Sequence, residues 1–440
     1  MYKWINNTFL SEFLLTRFSQ SIMILKYNTK ANLTEKGWGK MDIMKKALEM
    51  HAHYNGKLEV VSKVPVQDAH DLSLAYSPGV AAPCVEIEKN PSLVYDYTMK
   101  GNMVAIVSDG TAVLGLGDIG PKAALPVMEG KAILLKRFAN VDAFPICLDT
   151  KNTDEIVSIV KALAPTFGAI NLEDISAPRC FEIEDRLRQE CDIPVFHDDQ
   201  HGTAIVVGAG MINANRILKK DVETMKVVIN GAGAAGIAIL RLLVQMGYKN
   251  IYMCDTKGII YEGRAEGMNP IKEAVAHMTN PEKLHGTLED ALQGADVFIG
   301  VSVANLLTEA HIKSMNEDPI VFALANPNPE ITYENAKAWG VRIMGTGRSD
   351  YPNQINNVLA FPGIFRGALD VRATDINEAM KIAAVEAIAS LVSDEELTEE
   401  FIVPKSFDER VVEIVSRAVS GAAVESGVSE LFQQTTSVLV

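Results

Sequence analysis

Carboxylates gather at two places in this chain. Glu173-Asp174 closes the apolar run GAINLED, and His197-Asp198-Asp199 closes IPVFHDD. Four carboxylates at the tips of two neighbouring strands repel one another without a cation, and oxygen-only ligands suit a hard divalent ion such as Mg2+ or Mn2+. A second reading has each acid capping the helix that comes after it. Ser176, placed to cap a helix after Pro178, would partly relieve Glu173 and Asp174 of that duty. The residues alone leave both readings open. His197 and His201 are expected to flank the carboxylates, because no third nitrogen or sulfur ligand is spaced to complete a zinc site.

Two further side chains could move protons. Lys131, in PVMEGKAILLKRF, follows a glycine at the start of a helical apolar run. It reads either as a solvated lysine or, in a closed site beside a metal, as a base of lowered pKa. Tyr76, in LAYSPGVAAPC, precedes a Ser-Pro-Gly turn that would hold its ring in place, whether to pack or to react.

A phosphate-binding turn is the most specific local pattern. KVVINGAGAAG runs a strand into Gly231-Ala232-Gly233-Ala234-Ala235-Gly236 and then into the apolar helix IAILRLLVQM. The first glycine permits the tight turn, the second lets a pyrophosphate approach the backbone, and the third lets helix and strand pack closely. The helix N-terminus offers free N–H groups. The next strand ends in Asp255, where an acid can hold the ribose hydroxyls of a dinucleotide. A fixed carboxylate there disfavours a 2′-phosphate, so NAD is expected over NADP, although Lys257 nearby could neutralise such a phosphate.

These groups need elements to position them. MVAIVSD, AFPICLD, GAINLED and IPVFHDD read as strands alternating with helices between about residues 95 and 196, each ending in acid, and ligands collect beyond the carboxyl ends of such strands. KVVIN, NIYMCD, DVFIG, PIVFAL and VRIMG form a second series, as in a doubly wound parallel sheet. MDIMKKALEMHAHY has helical spacing at Ile43, Met44, Ala47 and Leu48. The tail is helical, with Ile376, Met380, Ala383, Ala387 and Leu391 on one face and Val411, Ile414, Val415 and Ala418 on another. The expected fold is therefore α/β. It has a dispensable extension (1–40), a substrate and metal domain (41–200), a Rossmann-type domain (201–375) and a C-terminal helical segment (376–440).

The 440 residues suffice for two domains, and the formal charge of −15 argues against a nucleic-acid partner. No apolar run approaches the ~20 residues of a membrane-spanning helix, so no membrane partner is expected. Five cysteines without a CxxC pair read as reduced thiols, which points to a cytoplasmic protein.

Taken together, the segments KLEVVSKVPV, LAYSPGVAAPC, VSDGTAVLGLGDIG, LPVMEGKA, INLEDISAPRCFEIE, FHDDQHGTA, VINGAGAAG, ALANPNPEI and NNVLAFPG resemble the malic enzyme family in its short bacterial form, in order from about residue 57 to 363. The resemblance implies oxidative decarboxylation of malate to pyruvate with reduction of NAD(P). It implies Glu173, Asp174 and Asp199 as ligands of Mg2+ or Mn2+, Lys131 as general base and Tyr76 as proton donor. Asp198 would orient the base, and Asn326 and Asn357, with Asn356 alongside, would bind substrate. It also implies a homodimer or larger assembly. One departure is Ala112, which stands where longer members carry an arginine for a malate carboxylate. Alternatives on the same scaffold are conversion of malate to lactate and decarboxylation of oxaloacetate. An alternative of another class is a non-catalytic dinucleotide sensor.

Overall fold

The computed structural model describes residues 40–113 and 115–431. The expected dispensable extension lies almost wholly outside them. Of the described residues, helix α1 (Lys40–Tyr54) belongs to one compact unit, which ends at Gly56, and those from Lys57 onward to a second.

The second unit holds two sheets. The first has four parallel strands, β1 (Met103–Ser108), β2 (Asp142–Cys147), β3 (Ala169–Leu172) and β4 (Val195–His197), in the order β2-β1-β3-β4. β1, β3 and β4 are buried along their whole length, which is why they read as unbroken apolar runs rather than alternating ones. Register brings the two acidic motifs level, because Leu172 of β3 pairs with His197 of β4. Glu173-Asp174 and Asp198-Asp199 therefore leave the sheet side by side.

The second sheet has the order β10-β9-β8-β5-β6-β7. Its strands are β5 (Val227–Asn230), β6 (Ile251–Asp255), β7 (Gly258–Ile259), β8 (Val297–Gly300), β9 (Ile320–Ala323) and β10 (Ile343–Thr346). All pair in parallel except β7, a two-residue strand antiparallel to β6 that the sequence pattern does not announce. The strand order reverses between β5 and β8, the position at which a doubly wound sheet opens its ligand crevice.

Four helices matter most to the site. Helix α2 (Ala69–Ala75) precedes Tyr76, and α3 (Pro121–Ala139) carries Lys131. Pro121 starts α3 with its φ preset, and Asn140, left-handed at φ +49°, ends it. Lys131 thus lies in the interior of a 19-residue helix, not at the start of a helical run as its preceding glycine suggested. Helix α4 (Arg179–Glu190) comes after β3, and α5 (Asp198–Leu218) begins where β4 ends and links the two sheets. The division expected after residue 200 falls within its first turn.

The other helices are α6 (Ala234–Gln245) after β5, then α7 (Phe361–Asp370), α8 (Glu378–Ser390) and α9 (Arg410–Glu425) in the helical tail. One apolar core runs from β1 and β3 through Ile205, Val207 and Met211 of α5 to Ile229 and Phe322 of the second sheet, and takes in Met380, Val411 and Val415 of the tail. A smaller core, with Val228, Tyr252 and Phe298, covers the opposite face of the second sheet.

Candidate active site

At the carboxyl ends of β3 and β4, the oxygens of Glu173, Asp174 and Asp199 approach within 4.8 Å of one another. Lys131 enters from α3, its Nζ 2.5 Å from Asp198 Oδ2 and 2.9 Å from Glu173 Oε1, and 4.4 Å above the Phe361 ring. Asn171 Nδ2 donates to Glu173 Oε2 at 2.8 Å, and the Asp174 backbone N–H donates to Asp199 Oδ2 at 2.7 Å. Asp174 adopts φ +54°, a left-handed conformation tolerated by Asp, so two adjacent carboxylates turn into one site.

None of these acids caps a helix. Pro178 is the N-cap residue of α4 and His197 that of α5, each without a side-chain cap bond. Ser176, expected as the cap after Pro178, instead accepts a bond from Arg179 through its hydroxyl at 3.3 Å. The carboxylates of Asp198 and Asp199 lie in the first turn of α5, where the helix N-terminus favours negative charge.

Burial pushes Asp198 up to about 7, against the pull of Lys131, and it raises Glu173 and Asp199 in the same direction. For Lys131 burial acts downward, but Asp198, Glu173 and Asp199 outweigh it and hold the amine above its ordinary value. The lowered amine is expected beside a metal, and without the ion's charge the carboxylates act the other way. Four carboxylates around one ammonium leave excess negative charge in a dry place. Three of them converge as hard oxygen donors, so the residues present fit a divalent cation.

The two histidines part company. His197 is fully buried beside the cluster, its Nδ1 3.7 Å from Asp199 Oδ2, and burial lowers it to about 4. His201 faces away from the carboxylates: its Nε2 lies 2.7 Å from Glu184 Oε1, and Lys381 approaches its ring at 3.2 Å.

Asn357 lies against α5 at Gly202, one turn beyond Asp198. A Cβ added to Gly202 would come within 1.9 Å of Asp198 Oδ1 and 2.9 Å of Asn357 Cβ, so glycine is what lets α5 and the 357 segment close together. Asn356 turns inward on its own backbone, its Oδ1 accepting from Val358 N at 3.0 Å. Asn326, at a cis bond to Pro327, lies against the 110–120 loop: a Cβ on Gly115 would come within 2.5 Å of its carbonyl. Glu330, buried and unnoticed in the sequence, accepts from Ser302 N at 2.9 Å and Ala325 N at 3.0 Å and so ties the ends of β8 and β9. Tyr76 ends α2 with 67% of its surface exposed, and among the described residues no hydrogen bond joins its hydroxyl to the Lys131 cluster.

The three glycines of the turn after β5 differ in conformation and surroundings. Gly231 has φ +118°. A Cβ on Gly236 would come within 1.8 Å of Gly231 O, whereas around Gly233 nothing lies within 4 Å. Open space at the middle glycine, facing the N-terminus of α6, fits a pyrophosphate. Asp255 sits at the end of β6, bonded by Arg264 and Lys272, while Lys257 pairs with Glu266.

A buried lysine–carboxylate cluster at one sheet edge and a dinucleotide-type turn at the switch point of another describe an α/β oxidoreductase. The malic enzyme N-terminal domain matches residues 55–188, and the malic enzyme NAD binding domain matches residues 200–425. The chain is 62% identical over 391 residues to the bifunctional malic/malolactic enzyme of Bacillus subtilis, spanning 89% of this chain and 95% of that one. It is 59% identical over 377 residues to the NAD-dependent malic enzyme of Geobacillus stearothermophilus, spanning 86% and 78%. The solved NAD-dependent malic enzyme of Thermotoga maritima superposes with a TM-score of 0.83 at 52% identity, over 85% of this chain and 99% of that one. The chain belongs to the malic enzyme family.

Proposed function

We propose that this protein oxidises and decarboxylates malate to pyruvate and carbon dioxide, reducing NAD(P), at the cluster around Lys131. The observation that carries the reading is the Lys131 amine, 2.5 Å from Asp198 and 2.9 Å from Glu173, beside three convergent carboxylates at the strand ends. Mg2+ or Mn2+ held by Glu173, Asp174 and Asp199 would supply positive charge that acidifies the C2 hydroxyl and stabilises the charge left at C3 as carbon dioxide departs.

Lys131 accepts the C2 hydroxyl proton. Asp198, Glu173 and Asp199 hold its amine protonated, and engaging Glu173 and Asp199 on a cation would weaken that hold and favour the base form. Asp198 keeps its bond to Nζ and aims the amine. Asn357, packed beside Gly202, and Asn326, facing Gly115, would hold substrate oxygens, and Asn356, bonded to Val358 N, would shape the segment that carries Asn357. Gly231, Gly233 and Gly236, with the N–H groups of Ala234 and Ala235, cradle the cofactor pyrophosphate beside Ala232. Tyr76 delivers the proton to C3 once its exposed face is covered, which supports a homodimer or larger assembly. Among the described residues no helix is long and apolar enough to cross a membrane, and the free cysteines support a cytoplasmic location.

The test is NAD(P)H formation from malate with Mn2+ and each cofactor, measured by absorbance, with sedimentation reporting the assembly. Lactate produced from malate without net NAD(P)H would favour the second reading, malolactic conversion, which the name of the Bacillus subtilis relative brings forward. Dinucleotide binding without any turnover would leave a sensor.

A further inference from the structure

Helix α5 opens in the carboxylate cluster without a capping bond from His197, and Gly202 follows its first turn with no side chain to pack. Another contact must fix how that turn presents Asp198 and Asp199. In an α-helix residues two apart lie about 200° round the axis, so Gln200 and His201 point away from the side on which Asp198 and Asp199 stand. One carboxylate meets them both there. Gln200 Nε2 donates to Glu184 Oε2 at 2.9 Å, and His201 Nε2 lies 2.7 Å from Glu184 Oε1. Glu184 belongs to α4, the helix that comes after Glu173 and Asp174, and is 4% exposed.

The hold extends into the helical tail. Lys381 of α8 brings its Nζ within 3.2 Å of His201 Nδ1 and donates to Glu378 Oε1 at 2.8 Å. With the Nε2 proton given to Glu184, Nδ1 is left as an acceptor for that ammonium. The His201 ring also packs on Phe196 of β4, with centroids 5.4 Å apart. Buried charged groups add little net stability over apolar packing of the same shape. Hydrogen bonds are directional, however, and apolar contacts are not. A carboxylate that grips two successive residues therefore fixes the roll of the turn about the helix axis, which packing alone leaves loose.

We propose that Glu184 is a positioning residue for the reaction. It sets the roll of the first turn of α5, and with it the aim of Asp199 at the cation and of Asp198 at Lys131. Lys381 steadies the His201 half of the grip. Glu184 acts through Gln200 and His201, not by contact with the cation. This rests on reading Glu173, Asp174 and Asp199 as a cation site.

The test is Mn2+ binding, read from the electron paramagnetic resonance of free Mn2+, with NAD binding by calorimetry and thermal melting by circular dichroism alongside. Wild type is compared with Glu184→Gln and Lys381→Met. Glu184→Gln keeps the volume but turns an amide donor toward one of the two donors that Glu184 accepts from. It should weaken Mn2+ about tenfold, the scale for groups that orient metal ligands, with stoichiometry kept and NAD within about twofold. At saturating Mn2+ its kcat should stay below wild type, because Asp198 is misaimed as well. Lys381→Met, which removes the ammonium and keeps the stem, should weaken Mn2+ about threefold, and it decides the matter if Glu184→Gln does not fold. Mn2+ affinity within about twofold of wild type in the folded variants overturns the proposal. So does a loss of Mn2+ sites and NAD binding in step with the folded fraction, since that marks a purely structural role. Wild type that binds no Mn2+ would instead bring down the cation site, and the proposal with it.

Discussion

At Lys131 the amine meets Asp198 and Glu173 inside a buried site, and those neighbours govern what it can do. Lys131→Ala should lower turnover with malate by ~10²–10⁴, the range for a missing general base, while circular dichroism stays unchanged. Near-normal kinetics would remove the lysine from the reaction. Asp255 makes a different prediction. Burial acts to raise it, but bonds from Arg264 and Lys272 hold it at about 2, below the ordinary 3.8. A depressed carboxylate contributes stability that is present above its unfolded value and lost as pH falls through the folded one. On linkage grounds the contribution is on the order of 2 kcal/mol at neutral pH. Denaturant unfolding should show Asp255→Asn less stable than wild type at pH 7, with the gap closing between pH 4 and pH 2. A gap that does not change with pH would contradict the bonds from Arg264 and Lys272. Of all these partners the sequence disclosed only half. The residue types of the lysine–carboxylate cluster were legible because each acid closes an apolar run. Arg264 and Lys272 were not, because a loop folding back on Asp255 leaves no periodic trace.

Strands were the most legible elements, since runs such as MVAIVS and VVIN are buried on both faces and so lack alternation. Register was not legible, and it is the pairing of Leu172 with His197 that turns two separate acidic motifs into one site. Helix boundaries misled where glycine was read as punctuation: Gly130 lies inside α3, which begins at Pro121. Because the cluster sits on the ends of strands and not within their core, it should be separable from folding. Chelation should abolish turnover and leave the secondary structure intact. Asp199→Ala, by relieving like-charge crowding, should raise the melting temperature of metal-free protein by up to about 1 °C, as expected from less than about 1 kcal/mol in a chain of this size. Full activity after chelation would make the acids structural.

In the molecule as a whole, the two sheets share one apolar core, and α5 runs through it from the carboxylate cluster to the tail. The two-sheet plan is legible in the two series of strand-like runs. That a single helix begins in the site and crosses to the tail is not, since TAIVVGAGMINANRIL shows no polar face to orient it. Near its far end Asn213 is buried, its Nδ2 donating to Ala389 O at 3.0 Å and to Ile402 O at 2.8 Å.

Such a helix is a lever. With 21 residues at 1.5 Å each it is about 31 Å long, so a tilt of about 2° at one end displaces the other by roughly 1 Å. The end that swings carries Asp198 and Asp199, and a misplacement of ~1 Å can cost ~10² in rate. The two bonds at Asn213 thus act as the clamp of an optical bench, holding the alignment of an instrument roughly 20 Å away. Asn213→Ala, remote from every reacting group, should lower kcat well beyond what its loss of melting temperature explains, with KM for the cofactor little changed. Turnover that simply tracks the folded fraction would show the lever to be slack.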